Sequence, residues 1–194
     1  MKVNLTIGIP IRLDRIFTWP LLLYRKHKYG WPFRRIFLGQ GKFTIVDPPD
    51  YYRFNNFQWC AKENGPRIYA VRLIADSHNR TKILSLHREI MGPPEGLLVD
   101  HKNRNTLDNR RENLRLATHS QNQFNKTKTA AITSSRFIGV YLEKRSGRWV
   151  AKIAVHGKRI WLGRFSSELD AARAYDKAAL KYHKDFARLN FPEA

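Results

Sequence analysis

The chain of 194 residues contains one cysteine, Cys60. A single thiol cannot form an intrachain disulfide or a zinc site built from several cysteines, and it fits a reducing, intracellular setting. Cys60 directly follows Trp59 in an aromatic stretch, so we expect its thiol to be buried. The cysteine content therefore excludes disulfide-stapled domains and cysteine-based zinc clusters.

Long apolar runs are also missing. The longest, residues 16–24, includes Thr18 and Pro20 and falls well short of the ~20 residues that a transmembrane helix needs. A signal peptide is a poor match, because basic residues rather than a small-residue cleavage site follow this run. Residues 1–38 therefore form a basic, aromatic N-terminal extension with two interpretations. It packs on the core and lays cations along phosphates, which we favour, or it lies on a membrane surface; the cations are Arg25, Lys26, Lys28, Arg34 and Arg35.

Acidic residues are scarce. The chain has 16 Asp and Glu against 36 Lys and Arg, which gives a formal net charge of +20 and a pI of about 10.5. An excess of this size indicates a polyanionic partner rather than a particular fold. The length allows one large or two small domains, and we expect neither a membrane partner nor an obligatory protein partner.

Low hydrophobicity marks residues 126–135, KTKTAAITSS, as a linker between a segment at 39–125 and a C-terminal segment at 136–194. Before the linker, short β-like runs separated by turn residues predict a small meander that supports the rest of the 39–125 segment. The predicted strands are residues 43–46, 58–61, 68–72 and 83–86, with short helices at 50–57 and 87–91.

Polar residues cluster around two short apolar runs ahead of the linker. The first run ends in Asp100 and His101, and a polar loop that ends at Asn113 leads to the second. A T-x-x-Q capping box begins at Thr118 and predicts a helix with Asn122 in its first turns. The order strand, loop, strand, helix predicts a small ββα unit that brings a carboxylate, an imidazole and a carboxamide together.

These residue types suit phosphodiester hydrolysis. His101 is the natural general base, because an unperturbed imidazole is partly neutral at pH 7. The Asp100 carboxylate and the Asn122 carbonyl oxygen are ligands of the kind that Mg²⁺ prefers. The alternative is that the Asp-His pair forms a turn and the asparagines make ordinary loop and cap hydrogen bonds. The full spacing favours the nuclease interpretation.

The same residues resemble the HNH, or ββα-metal, endonucleases in their H-N-N form, in the branch that includes phage and intron homing enzymes. The flanking sequence at 86–90 also resembles that branch. The resemblance implies that His101 activates water, that Asp100 and Asn122 bind one divalent cation, and that Asn113 holds the loop by hydrogen bonds. The expected cation is Mg²⁺, with Mn²⁺ as the alternative.

The segment after the linker predicts three strands and one helix capped by Ser167; the strands are residues 137–142, 148–155 and 159–163, joined by turns at 144–147 and 156–158. Alternation places Ala151 and Ile153 under the helix. The opposite face carries cations and an indole, and such an exposed sheet can enter the DNA major groove; its members are Arg148, Lys152, Arg159 and Trp161.

This segment resembles the DNA-binding domain of the plant Apetala-two/ethylene-response-factor regulators, which also occurs appended to bacterial and phage HNH nucleases. The matching residues are Gly139-Val140 and residues 147–151, 161–165, 171–176 and 189–192. The resemblance implies that the sheet contacts duplex DNA through Arg159 and Trp161. Lys152 and Tyr141 stand at contact positions but differ in residue type from the family.

Together these features predict an α+β protein: a ββα-metal nuclease unit on a β-rich N-terminal support, followed by a three-stranded antiparallel sheet packed on one helix. We expect a metal-dependent, homing-like DNA endonuclease of a mobile element, acting in the cytoplasm at the nucleoid of a bacterium or a phage host. Water deprotonated by His101 would attack the phosphodiester, with the cation on Asp100 and Asn122 stabilising the phosphorane, and leave 5′-phosphate and 3′-hydroxyl ends.

Two other functions stay open. The chain could be a non-catalytic DNA-binding regulator whose nuclease unit is degenerate and only grips the backbone. It could also bind RNA, given its charge, although the sheet face argues against this because the deep, narrow major groove of A-form RNA does not admit a sheet.

Overall fold

The three-dimensional structure is a computed structural model that describes residues 11–77, 79–124, 134–155 and 157–192. The chain divides into two compact units, which we call the N-terminal unit (residues 1–93 and 103–115) and the C-terminal unit (residues 94–102 and 116–194). Most of the predicted linker, residues 126–133, and His156 of the predicted hairpin turn lie outside the described residues.

The N-terminal unit combines helices with two antiparallel sheets. Its elements are α1 (Ile11–Tyr29), β1 (Arg34–Phe37), β2 (Phe43–Val46), α2 (Pro48–Phe54), β3 (Cys60–Asn64), β4 (Arg67–Ala75), β5 (Thr81–Ser85) and α3 (Leu86–Met91). Strands β3, β4 and β5 form the predicted meander. The strand predicted at 43–46 is present as β2, but it pairs with β1, which lies in the predicted N-terminal extension, instead of joining the meander.

Trp59 and Cys60, at the start of strand β3, differ in burial. Trp59 is buried and donates its indole N–H to the Phe54 carbonyl at 2.8 Å. Cys60 is exposed, so the expected buried thiol is wrong. Neighbouring residues of an extended chain point to opposite faces, and here the larger apolar side chain takes the buried position.

Helix α1 is held by Arg34, a residue of β1 that is only 8% exposed. The Arg34 guanidinium donates to Asp14 Oδ2 at 2.9 Å and to Thr18 Oγ1 at 3.1 Å, and it lies 3.8 Å from the centre of the Tyr51 ring. Arg34 is therefore paired inside the N-terminal unit and cannot serve as one of the phosphate-facing cations proposed for the extension. No helix among the described residues is both long enough and apolar enough to cross a bilayer.

We expect Asp14→Asn to destabilise the N-terminal unit at neutral pH by about 2 kcal/mol, the usual contribution of a charged hydrogen bond. The hydrogen bond from Arg34 lowers the pKa of Asp14 from its ordinary value of 3.8. The ion pair therefore stabilises the folded state above that value, and the stabilisation is lost as the pH falls through the lowered pKa. Urea unfolding of both proteins from about pH 7 to about pH 2 measures the difference. A gap that stays constant down to the lowest pH would contradict the ion-pair explanation.

The C-terminal unit contains a small sheet followed by a short helix, and a larger sheet followed by a long helix. Its elements are β6 (Leu98–His101), the end of β7 (Leu114–Ala117), α4 (His119–Phe124), β8 (Val140–Glu143), β9 (Arg148–Val155), β10 (Lys158–Phe165) and α5 (Glu168–His183). The larger sheet is antiparallel in the order β8, β9, β10, and α5 packs on it. This confirms the predicted three-stranded antiparallel sheet on one helix.

Small side chains let α5 lie close to the larger sheet. Ala151 is fully buried with Ala171 and Ala172, and Ile153 is buried with Ala179. This confirms the sheet face that alternation assigned to the core. The helix begins as predicted, because Ser167 Oγ accepts a hydrogen bond from the Leu169 backbone N–H at 3.2 Å.

Residues 190–191 are held against helix α5 and against the segment that precedes strand β8. The Asp176 carboxylate of α5 accepts hydrogen bonds from the backbone N–H groups of Asn190 at 2.8 Å and Phe191 at 2.9 Å. The Asn190 side chain in turn accepts the Ile138 N–H at 2.7 Å. Ser135, the last residue of the predicted linker, is buried and accepts the Phe137 N–H at 3.0 Å, so this residue belongs to the folded C-terminal unit.

Candidate functional site

Asp100 and His101 end strand β6, and both are buried, at 7% and 4% exposure. They lie in the C-terminal unit on the small sheet that β6 forms with β7. Adjacent residues on a strand direct their side chains to opposite faces unless the strand twists. Both residues take part in interactions within the structure, and their burial shields them from solvent.

Helix α4 follows this sheet and begins with the predicted capping box. The Thr118 N–H donates to the Gln121 side chain at 2.8 Å, and the Gln121 N–H donates to Thr118 Oγ1 at 3.3 Å. Each hydrogen bond satisfies an otherwise unpaired backbone donor of the helix start. The helix lies beside β6 and carries Asn122, which is half-buried. The C-terminal unit thus brings the element with Asn122 next to the strand with Asp100 and His101.

The donor set fits a hard divalent cation. Asp100 supplies a carboxylate and Asn122 a carboxamide oxygen, and Mg²⁺ is usually held by one or two protein oxygens with waters and phosphate completing its coordination. Among the described residues, no three His, Cys, Asp or Glu side chains form a group that could hold a metal ion. Oxygen donors of this kind are typical of a cation shared with a phosphate, whereas zinc sites closed by protein ligands use thiolates and imidazoles.

Asn113 lies in the N-terminal unit, where it closes the loop at 103–113. It is buried, accepts the Asn103 N–H through Oδ1 at 2.9 Å, and donates through Nδ2 to the Asp108 carbonyl at 2.8 Å. These hydrogen bonds hold both ends of the loop, as the family resemblance implies for this position. Its catalytic importance stays a prediction.

Four further polar residues of the loop are buried, and the sequence analysis does not single them out: Thr106, Asp108, Asn109 and Arg110. The carboxylate of Asp108 pairs with Arg110, Nε to Oδ1 at 2.8 Å and Nη2 to Oδ2 at 2.7 Å. Asn109 is 1% exposed and donates to Thr44 Oγ1 of β2 at 2.7 Å. The run Asp-Asn-Arg that follows Leu107 is a local signal, and it does not reveal a partner such as Thr44, which is 65 positions away.

The solvent-facing side of the larger sheet, which we call the open face, carries the predicted DNA-binding residues. Trp161 is 58% exposed and stands opposite Lys152 in the register of β9 and β10. Lys152 Nζ lies 5.1 Å from the centre of the Tyr141 ring. Arg148 and Arg159 are exposed. Tyr141, Lys152 and Arg159 also line an open groove of about 620 Å³.

Arg164 joins this face because strand β10 contains a bulge. The register shifts between Trp161 and Gly163, so Arg164 stands opposite Val150, on the same side as Trp161. Arg164 pairs with Glu143 at 3.0 Å; hydrogen bonds from Ser146 and then Arg164 lower the pKa of Glu143. Strict alternation assigns Arg164 to the core side, and a glycine inside the strand was the signal of a bulge.

Two segments of the chain match known protein families. Residues 135–184 match the AP2 domain. Residues 91–124 match a family described as HNH endonuclease, and that segment carries Asp100, His101, Asn113 and Asn122. The resemblance of the C-terminal segment is thereby confirmed at the level of the domain type. Nuclease activity stays a prediction.

Curated relatives share the AP2 type of domain. The chain is 51% identical over 65 residues to an AP2/ERF and B3 domain-containing protein of Oryza sativa subsp. japonica (34% of this chain, 18% of the relative). It is 51% identical over 53 residues to dehydration-responsive element-binding protein 2C of Arabidopsis thaliana (26% and 16%), and 45% identical over 58 residues to APETALA2-like protein 2 of Oryza sativa subsp. indica (30% and 13%).

The chain spans less than a fifth of the length of each of these relatives. All three are plant proteins, which gives no support to the bacterial or phage setting expected from the sequence. The similarity therefore concerns one domain, and it does not establish the function of the whole chain.

Proposed function

We propose that the chain is a metal-dependent DNA endonuclease that binds duplex DNA through the open face of its C-terminal sheet. The observation that carries this proposal is the placement of buried Asp100 and His101 at the end of β6, beside the helix with Asn122. A carboxylate, an imidazole and a carboxamide are the groups that metal-assisted phosphodiester hydrolysis needs, as cation ligands and as a general base.

Binding to duplex DNA rests on the open face. Its exposed residues Arg148, Arg159 and Trp161, with half-buried Lys152 and Tyr141 beside them, are set on an antiparallel sheet. Arginine reads guanine edges by paired hydrogen bonds in the major groove, and lysine neutralises phosphate. One AP2 relative is named for binding a dehydration-responsive element, which supports DNA as the ligand of this face.

In the proposed reaction His101 accepts a proton from the attacking water, and Asn113 keeps the preceding loop closed. Asp100 and Asn122 would hold the divalent cation, Mg²⁺ by abundance or Mn²⁺. The bound cation supplies positive charge next to the scissile phosphate. Cleavage would leave 5′-phosphate and 3′-hydroxyl ends. A single catalytic unit of this kind attacks one strand in each encounter, so a monomer nicks.

A second candidate is a non-catalytic DNA-binding regulator. It is favoured by the AP2 relatives, whose identity of 45–51% exceeds what a shared fold alone requires. In that case the β6–α4 segment would only contact the DNA backbone. A homing role in a mobile element requires DNA cleavage, so it would be rejected together with the nuclease proposal.

A supercoiled plasmid distinguishes the two. We expect the full chain with Mg²⁺ to convert the plasmid to open circles, and EDTA to stop the conversion without abolishing a salt-sensitive gel shift. Asp100→Ala should behave like EDTA treatment. Binding that persists while no condition yields open or linear DNA would establish the regulator instead, and equal affinity for duplex RNA would revive an RNA-binding function.

A further inference from the structure

Two exposed phenylalanines stand side by side on the outer face of the β1–β2 hairpin. Phe37 and Phe43 are cross-strand partners and are 66% and 40% exposed. Arg35 shares this face, and its guanidinium carbon lies 4.1 Å from the centre of the Phe43 ring. The opposite face buries Ile36 and Val46. The hairpin is therefore anchored by one face while its aromatic face is left to solvent.

A cleft of about 400 Å³ beside Phe37 adds a third exposed ring. Phe57 lines this cleft and is 44% exposed. The guanidinium carbon of Arg72 lies 4.0 Å from the centre of the Phe57 ring. None of the residues that line the cleft is acidic. Each arginine thus lies over an aromatic ring. Arg72 is paired with Glu89 at 3.1 Å, so the charge that is complementary to a polyanion comes from Arg35.

Hydrogen bonds join this hairpin to the loop that ends at Asn113. The Ile45 N–H donates to the Leu107 carbonyl at 2.9 Å, and the Asn109 N–H donates to the Ile45 carbonyl at 2.8 Å. The Asn109 side chain adds a hydrogen bond to Thr44. The aromatic face is therefore fixed to a loop of the predicted nuclease motif, within the N-terminal unit.

We propose that the surface formed by Arg35, Phe37, Phe43 and Phe57 binds DNA whose bases are unpaired, and so deepens the proposed action on DNA, on which it rests. An aromatic ring stacks on any base that has left the helix, with little regard to sequence. A guanidinium beside the ring pairs with the neighbouring phosphate. A fully paired duplex keeps its base faces covered and offers these rings nothing to stack on. The substrate class is therefore DNA with a bubble, mismatch or single-stranded junction.

The test measures binding in EDTA, so that cleavage plays no part. Fluorescence anisotropy compares the full chain on a paired duplex and on a duplex of the same length with a central bubble. We expect the wild type to bind the bubble about tenfold more tightly. The double variant Phe37→Ala with Phe43→Ala should lose that preference and keep its affinity for the paired duplex, and Phe37→Trp should retain the preference.

A control is Phe17→Ala, which removes an even more exposed ring (74%) from α1 in the same unit. It should leave the preference intact. Equal affinity of the wild type for both DNAs, a preference that survives the double substitution, or its loss in Phe17→Ala would each overturn the inference. Failure to cleave the plasmid would reject the nuclease proposal, but the binding comparison in EDTA could still be interpreted. Cleavage without a preference for the bubble would reject only the stacking surface.

Discussion

Replacing His101 by alanine is expected to slow plasmid cleavage by about 100- to 10,000-fold, the usual contribution of a general base, while duplex binding stays unchanged. His101 is buried at the end of β6 and is not among the open-face residues that we propose for DNA binding. The loss should therefore appear in the single-turnover cleavage rate and not in the affinity measured by gel shift.

Two variants separate this role from a structural one. His101→Gln keeps most of the side-chain volume and can still donate a hydrogen bond, yet it cannot accept a proton at neutral pH, so its cleavage should be as slow as that of His101→Ala. His119→Ala removes an exposed histidine at the start of α4 and should cleave like the wild type. If His119→Ala were the inactive variant and His101→Ala the active one, the general base would have been assigned to the wrong histidine.

Local signals are enough to predict the elements that carry the candidate catalytic residues. The capping box of Thr118 and Gln121 and the cap at Ser167 join groups at most three residues apart, so the sequence alone specifies the partners. The same holds for the alternation that places Ala151 and Ile153 in the core. Such patterns can be recognised without knowing how distant segments of the chain pack.

Interactions between distant segments cannot be predicted in the same way. The buried Asn109 finds its partner Thr44 across 65 positions, and β2 pairs with a strand that lies in the predicted N-terminal extension. Neither pairing is visible as a periodic pattern in the sequence, because each depends on whether the fold brings two distant short segments together. The bulge that turns Arg164 outward is an intermediate case, because Gly163 signals an irregularity without saying which way the register shifts.

The C-terminal unit also connects the predicted metal-binding helix to the DNA-binding sheet. Phe124, the last residue of α4, stacks on His183 of α5, with ring centres 3.8 Å apart and planes within 7°. The Nε2 atom of His183 lies 2.8 Å from the Ala154 carbonyl of β9. Asn122 is therefore linked through two contacts to the strand that presents Lys152. The sheet proposed to bind DNA and the helix that carries the candidate cation ligand are thus packed together through α5.

Gly139→Ala is expected to cost the C-terminal domain about 3–4 kcal/mol and with it most duplex binding. Gly139 takes φ +73°, a conformation that costs an L-residue about 1–2 kcal/mol. A Cβ there would also collide with the Tyr175 ring and lie 2.6 Å from the Lys152 carbonyl oxygen. That carbonyl belongs to the β9 backbone, so it cannot swing aside as a flexible side chain can, and such overpacking adds about 1–3 kcal/mol.

Gly147→Ala provides the matched control in the turn between β8 and β9. Gly147 has a similar φ of +66°, but a Cβ added there would meet no atom within 4 Å, so only the conformational cost of about 1–2 kcal/mol remains. Urea unfolding followed by the change in tryptophan fluorescence, to which Trp149 and Trp161 of this domain contribute, measures both variants, and a gel shift reports duplex binding. Equal destabilisation by the two substitutions would mean that the positive φ, rather than the close approach of α5 and β9 to Gly139, is what requires glycine there.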